Sequence, residues 1–346
     1  MKKFVFDLDI AELAEYMKSI SEPPYRAAQV FSALHNGVNV SEISNIPKSV
    51  RERIIADFNC VLPELMDEVC SNDGTRKVLL HLHDDSLIEC VLLTQSYGNT
   101  ICVSSQVGCR MGCKFCASGK DGIVRNLTAG EMLAQVIWAN KNGKVSNVVI
   151  MGSGEPFDNF DNTVKFLRLV TVPDGVNIGA RGISVSTVGL PDKIRAFADL
   201  QTQVNLCISL HAPNDEVRTK IIPLAKKYPI ADIMASAKYF FDKTKRRVIF
   251  EYSLIDGINC DLKCAQELAV LLKHGGFAYH VNLINLNKTG DLKPPPRTEA
   301  MAFMDYLIKA GISCTMRVSR GSDIAGACGQ LRTKIVLQNT PASSAK

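Results

Sequence analysis

"ICVSSQVGCRMGCKFCASGK", residues 101–120, places Cys102, Cys109, Cys113 and Cys116 within fifteen residues. The stretch opens as an apolar strand, "TICVSSQ", and runs into a polar, glycine-flanked loop whose last three cysteines are spaced x3 and then x2. A strand that delivers reactive side chains from its C-terminal end is the habit of proteins built from βα units. The rest of the chain repeats the pattern. Apolar strands are read at "NVVIMGS", "GISVSTVG", "VNLCISLH", "VIFEYSLI" and "YHVNLINLN", with helical segments between them. One of these, "TAGEMLAQVIWANKNG", begins with a capping box of Thr128 and Glu131. Six such repeats predict an α/β fold, a partial TIM-type (β/α)6 barrel that is not fully closed. The polar segments "GSGEP", "STVG", "SLHAPND" and "NLINLN" then fall together at the strand C-termini.

Upstream, the pattern changes. "DIAELAEYMKSI" has apolar residues at Ile10, Leu13, Ala14 and Met17, a helical spacing. "SEPPYRAAQVFSALHNG" is opened by Pro23 and Pro24 and closed by Gly37, and "SEISNIPKSVRERIIADF" supplies a third helix. "GTRKVLLHLHDDSLIECVLL", from Gly74, alternates like a hairpin around Asp84, Asp85 and Ser86. Residues 1–95 are therefore read as a helical accessory module with a connecting hairpin, 96–335 as the barrel and 336–346 as a polar tail.

The chain has 346 residues, 46% of them hydrophobic, enough to bury a large core. Its 40 basic and 35 acidic residues permit nucleic-acid binding without demanding it. No apolar run reaches the roughly 18 residues of a membrane span. The start, "MKKFVFDLDIAELAEYM", shows no small-residue cleavage site, so no secretory signal is expected and the protein is placed in the cytoplasm. Twelve cysteines in such a chain should be reduced thiols, metal ligands or catalytic groups. Cys109, Cys113 and Cys116 are one ligand short of a closed zinc site. They suit a [4Fe–4S] cluster, in which three thiolates leave the fourth iron open to a ligand. Three buried or zinc-bound cysteines remain the alternative, against which stands the polar, glycine-flanked character of the run.

C-x3-C-x-aromatic-C, with Phe115 as the aromatic, resembles the signature of radical S-adenosylmethionine (SAM) enzymes. The likeness extends along nearly the whole chain. "EPPYRAAQVF", "IPKSVRE", "CVSSQVGC", "CKFCASGKDGIVRNLT", "MGSGEP", "VNLCISLHAPND", "RRVIFEYSLIDGIN", "HVNLI" and "ACGQL" are similar, in order, to the RlmN group of dual-specificity 23S rRNA and tRNA adenine methyltransferases. The resemblance implies a radical SAM barrel behind a small N-terminal helical accessory domain that recognises RNA. It implies a [4Fe–4S] cluster on Cys109, Cys113 and Cys116, with the open iron chelated by the amino and carboxyl groups of SAM. By the same resemblance Gly154, Glu155, Ser186, Ser209, Leu210, His211 and Asn287 contact SAM. Cys328 matches the S-methylcysteine intermediate, Cys102 its resolving partner in a transient disulfide, and Glu89 the proton acceptor. Taken without the family, Cys102 and Cys328 read as small buried hydrophobes, Glu89 as a solvated strand-edge acid and His211 as a structural histidine.

The implied chemistry has a physical reason. Carbon 2 of adenine lies between two ring nitrogens and is too electron-poor to attack a SAM methyl group. The family therefore uses two SAM molecules. One methylates the cysteine thiolate by displacement, and the other yields a 5′-deoxyadenosyl radical that takes a hydrogen from the new methyl group. The resulting carbon radical adds to the base, and the second cysteine releases the product. Expected partners are 23S rRNA, tRNA and a ferredoxin or flavodoxin as electron donor, with no membrane and a monomeric state. Two readings compete: a Cfr-type enzyme that methylates carbon 8, and a non-catalytic iron–sulfur or zinc protein that binds RNA. The second needs neither Cys328 nor polar strand ends. Ser153 stands where many relatives have methionine, which should alter packing beside SAM. Basic residues at Lys243–Arg247 and at Arg317 and Arg320 are candidate phosphate contacts.

Overall fold

Three amphipathic helices open the chain, α1 (Ile10–Ser19), α2 (Arg26–His35) and α3 (Lys48–Asp57). Asp9 and Glu12 cap α1 reciprocally, and Leu13 and Met17 bury the face that the apolar spacing selects. The computed structural model describes residues 2–96, 98–287 and 289–331; the polar tail expected at 336–346 lies outside them. Next come β1 (Glu64–Cys70), β2 (Arg76–His81) and β3 (Leu87–Leu93), all antiparallel. The turn between β2 and β3 falls at Asp84–Ser86, where Asp85 takes φ 64° and the Asp84 carboxylate accepts the Ser86 amide.

The hairpin does more than connect. β3 pairs antiparallel with β4 (Asn99–Cys102), setting Val91 opposite Cys102, so β1–β3 extend the barrel sheet itself. β5 (Gln106–Gly108) and β6 (Ile123–Asn126) form a small separate pair that brackets the cysteine loop. The barrel proper then alternates α4 (Ala129–Lys141), β7 (Val145–Ile150), α5 (Phe160–Thr171), β8 (Ile183–Thr187), α6 (Pro191–Asp199) and β9 (Asn205–Ser209). α7 (Asp215–Ile221) and α8 (Ile230–Thr244) lead to β10 (Val248–Leu254), α9 (Leu262–His274), β11 (Tyr279–Asn285), α10 (Arg297–Lys309) and β12 (Cys314–Arg317).

The sheet order is β1-β2-β3-β4-β7-β8-β9-β10-β11-β12, parallel from β4 onward. Six βα units are present as expected. β12 adds a seventh parallel strand, and among the described residues it does not pair with β4, so the arc stays open. The central strands are nearly continuous buried apolar runs, as strands covered on both faces must be. One core runs from Phe4 to Ile312. It is tight where the N-terminal segment meets α4: the Asp7 carboxylate accepts the Gly130 amide at 2.7 Å. A Cβ on Gly130 would lie 2.7 Å from the Phe6 main chain. Among the described residues no helix is long and apolar enough to cross a membrane.

Candidate active site

Two contiguous cavities open at the C-terminal ends of the parallel strands. The inner one, about 160 Å³, is lined by Cys109, Cys113 and Cys116 on one side and by Glu155, Ser186 and Ser209 on another. Gly154, His211, Glu251, Asn287 and Arg317 also face it. The outer one, about 430 Å³, is lined by Val91, Cys102, Met151, Arg317, Val318 and Leu331 among others. Cys116, Asn287, Arg317 and Cys328 border both, so Cys328 stands where the two meet.

The cysteine loop is shaped by its main chain. The Cys109 amide donates to the Gly122 carbonyl at 2.8 Å, Cys116 to Cys113 at 3.1 Å, and Lys114 to Ile221 at 2.9 Å. Burial pushes the Cys109 thiol up to about 12, and pushes Cys113 up further with its two neighbouring cysteines adding to the shift. Three thiols held this way become thiolates when a cationic metal centre binds them. Three thiolates on one zinc ion would sit about 3.8 Å apart, given Zn–S bonds near 2.3 Å. Among the described residues, the set of three metal-ligand types whose atoms lie within 4.8 Å of one another is Asp256, Cys260 and Glu299, which line neither cavity. The Cys109, Cys113 and Cys116 sulfurs are not all within that distance of one another.

Around them the strand ends supply polar groups. Glu155 is 4% exposed; Oε2 accepts the Val188 amide at 2.7 Å and Oε1 the Phe157 amide at 3.0 Å. Burial still pushes its carboxyl up to about 7, against the pull of those amides and of Thr187. Ser186 and Ser209 hydroxyls lie 3.4 Å apart at the ends of β8 and β9. His211 Nδ1 accepts the Ser253 amide at 2.9 Å. Burial, with the Arg218 charge, lowers the imidazole to about 3, so the ring is neutral and its Nε2–H is the donor left for a ligand. Phe115 meets this ring edge-on at 4.6 Å. Asn287 Nδ2 donates to the Cys328 carbonyl at 3.0 Å.

Not every residue singled out from the sequence faces the cavities. The Leu210 side chain is fully buried and lines neither; its amide donates to the Glu251 carbonyl and its carbonyl accepts from Arg218. Ser153 lines neither as well, its amide being tied to the Ser104 hydroxyl, so the expected repacking beside SAM has no surface to act through. Glu89 sits two residues before Val91 on the same side of β3, pairs with Lys77 at 3.3 Å, and leaves Oε2 without a hydrogen-bond partner among the described residues. Lys243 and Lys245 precede the N-terminal end of β10, at the opposite end of the barrel from the cavities, where they lie over Tyr239 and Phe241. Arg317 turns inward, 3.6 Å from Glu251. Sequence reasoning passed over Glu251 and also Arg218, which is buried and binds the Val188, Ser209 and Leu210 carbonyls, knitting the ends of β8 and β9 together.

Cys102, half-buried, lies across the outer cavity from the exposed Cys328. Burial pushes its thiol up to about 12, Cys328 adds to this, and Arg317 opposes it. The loop bearing Cys328 is anchored twice. Asp323 accepts from the Ser71 hydroxyl at 2.6 Å and Asp73 accepts the Gly321 amide at 3.0 Å, tying it to the β1–β2 turn. On its far side the Gly329 carbonyl accepts the Ala117 amide at 2.7 Å, tying it to the cysteine loop.

Gly154 gives the site a sharp test. It has φ +107°, and an added Cβ would lie 2.7 Å from the Gln106 amide nitrogen. Gly154→Ala should lower stability by about 1–3 kcal/mol in denaturant unfolding and displace Glu155, with loss of SAM binding in equilibrium dialysis.

Comparison with known proteins gives a consistent set of relatives. The model of the radical SAM superfamily matches residues 103–263. A protein of Clostridium perfringens (strain 13 / Type A) named "Probable dual-specificity RNA methyltransferase RlmN" is 46% identical over 341 residues, covering 96% of this chain and 98% of its own. One of the same name from Geobacillus kaustophilus (strain HTA426) is 45% identical, covering 95% of this chain and 92% of its own. The crystal structure of a radical SAM methyltransferase from Sphaerobacter thermophilus has a TM-score of 0.91 at 41% identity, over 95% of this chain and 99% of that one.

Proposed function

This chain belongs to the RlmN family of radical SAM RNA methyltransferases, and from that premise we propose that it methylates carbon 2 of adenosine in RNA. The targets are one adenosine of 23S rRNA and an adenosine 3′ of the anticodon in tRNA. The observation that carries this reading is the placement of Cys328 between two cavities, one bearing Cys109, Cys113 and Cys116, the other bearing Cys102.

Each side chain then has a task. Cys109, Cys113 and Cys116 would hold a [4Fe–4S] cluster, which when bound supplies the electron for reductive cleavage of SAM. Gly154, Glu155, Ser186, Ser209, Leu210, His211 and Asn287 would hold SAM, His211 by its Nε2–H and Leu210 through its main chain. Cys328 takes a methyl group on its sulfur and carries that carbon to the base. Glu89, through its free Oε2, accepts the ring proton. Cys102 attacks the Cys328 sulfur, the S–C bond breaks as the S–S bond forms, the released carbon takes up a proton to become the methyl group, and the one electron left over from radical addition would be accepted by the bound cluster. Within residues 1–95 the helical part is assigned to RNA recognition, while β3 brings Glu89 to the catalytic barrel of 96–335, in a cytoplasmic monomer reduced by a ferredoxin or flavodoxin.

Mass spectrometry of nucleosides from rRNA and tRNA incubated with the reconstituted protein should show 2-methyladenosine in both. 8-Methyladenosine would replace the carbon-2 reading with the carbon-8 one, and no methylated adenosine would overturn both.

A further inference from the structure

The inner cavity holds a second acid. Glu251 lies in the middle of β10, is 3% exposed, and faces the cavity from a strand whose other residues are nearly all apolar. Asn282 Nδ2 donates to its Oε1 at 3.0 Å. Arg317 approaches Oε2 to 3.6 Å, an ion contact, yet Oε2 has no hydrogen-bond partner among the described residues. A buried carboxylate oxygen left open is unfavourable until a ligand completes it. Glu155 is placed differently, since both of its oxygens accept main-chain amides. Of the two acids on this cavity, Glu251 is the one with an oxygen to offer.

We infer that Glu251 is a further SAM-binding residue whose Oε2 faces the sulfonium, so that the cavity prefers SAM to its neutral thioether. The inference rests on the SAM reading above. SAM carries two cations. Its ammonium goes with the carboxyl group to the open iron in the arrangement the family implies, which leaves the sulfonium without a counter-charge. Cys328 and Arg317 border the same cavity as Glu251, so a methyl group presented to Cys328 is carried on a sulfur close to this acid. When the methyl group moves to the Cys328 sulfur, the positive charge on the donor is lost and its attraction to Glu251 goes with it. Arg317 remains to pair with the carboxylate. A site that must release a thioether and admit a second SAM before its task is done gains from that difference.

The test uses the cluster-reconstituted full chain and three probes measured by calorimetry. SAM and sinefungin are cationic at this centre, sinefungin having an ammonium-bearing carbon in place of the sulfonium; S-adenosylhomocysteine is neutral there. Glu251→Gln should weaken SAM and sinefungin roughly tenfold or more and leave S-adenosylhomocysteine within about twofold, because a buried charge pair loses its partner only for the cations. Unchanged thioether binding also shows that the variant is folded. Glu251→Asp, which keeps the charge, should keep most of the preference. Equal loss of all three probes in both variants, or no change in the SAM to thioether ratio in Glu251→Gln, would overturn the inference. Wild-type protein that binds none of the probes would instead overturn the SAM reading on which it rests.

Discussion

Cys102→Ala, incubated with RNA, SAM and reductant, accumulates protein cross-linked to RNA through Cys328, whereas Cys328→Ala makes no cross-link and no product. The two cysteines border one cavity, and Cys328 also borders the inner one. If Cys328 carries the methyl carbon, that carbon is still bonded to sulfur after it has joined the base. Release needs a second thiol; Cys102 and Cys116 share the outer cavity with Cys328, and of these Cys102 is the one not assigned to the metal centre. Removing it leaves the bridge in place, so denaturing gel analysis should show most of the active protein shifted in mass. The double variant should behave like Cys328→Ala. Damage to folding or to the metal centre would lower every signal together and could not give this order. Absence of any covalent species from Cys102→Ala preparations that still consume SAM would refute the two-cysteine route and leave the metal assignment intact.

Cys113→Ala should abolish both iron binding and methylation. The wild-type chain, reconstituted without oxygen, should carry about four irons per chain and a brown chromophore. Cys113 lies between its two partner cysteines in sequence, and burial, with those partners, raises its thiol further than that of Cys109. With only two thiols left, the loop has too few ligands for a cuboidal centre, and activity should fall below a thousandth of wild type. Iron analysis and absorption spectra report the first effect and product nucleoside the second. A variant that keeps full iron, or a wild type with stoichiometric zinc and no iron, would show that the loop serves another metal.

Much of this architecture is written in local pattern. The six strands from "TICVSSQ" to "YHVNLINLN" are apolar runs bounded by polar turns, and burial on both faces gives them that character. β1 and β12 lack it. "ELMDEVC" is an edge strand exposed along nearly all its length, so no alternation marks it, and "CTMR" is four residues long and only half-buried. Their strand state comes from pairing partners far away in sequence. The strand-end rule marked the segments "GSGEP", "STVG" and "SLHAPND", and the family resemblance singled out Glu155, Ser186, Ser209 and His211 within them, all of which line the inner cavity. The rule missed Glu251 because Glu251 sits within a strand. The available signal was a lone acid inside "VIFEYSLI", since a charge in a run that must be buried requires a partner or a ligand. Arg218 escaped for a different reason: it lies on a helix, and only the folded chain brings three carbonyls around it.

The tie between Ser71 and Asp323 spans 252 positions of the chain. During synthesis the β1–β2 turn and the cysteine loop leave the ribosome long before the segment that carries Cys328. Domains form from the N-terminal side as they emerge, at roughly 5–20 residues per second. The reactive sulfur therefore reaches its seat only when almost all of the polypeptide has been made. Until then Cys102 has no Cys328 to face. On the two-cysteine reading, the order of assembly thus keeps an unfinished chain from pairing Cys102 with Cys328.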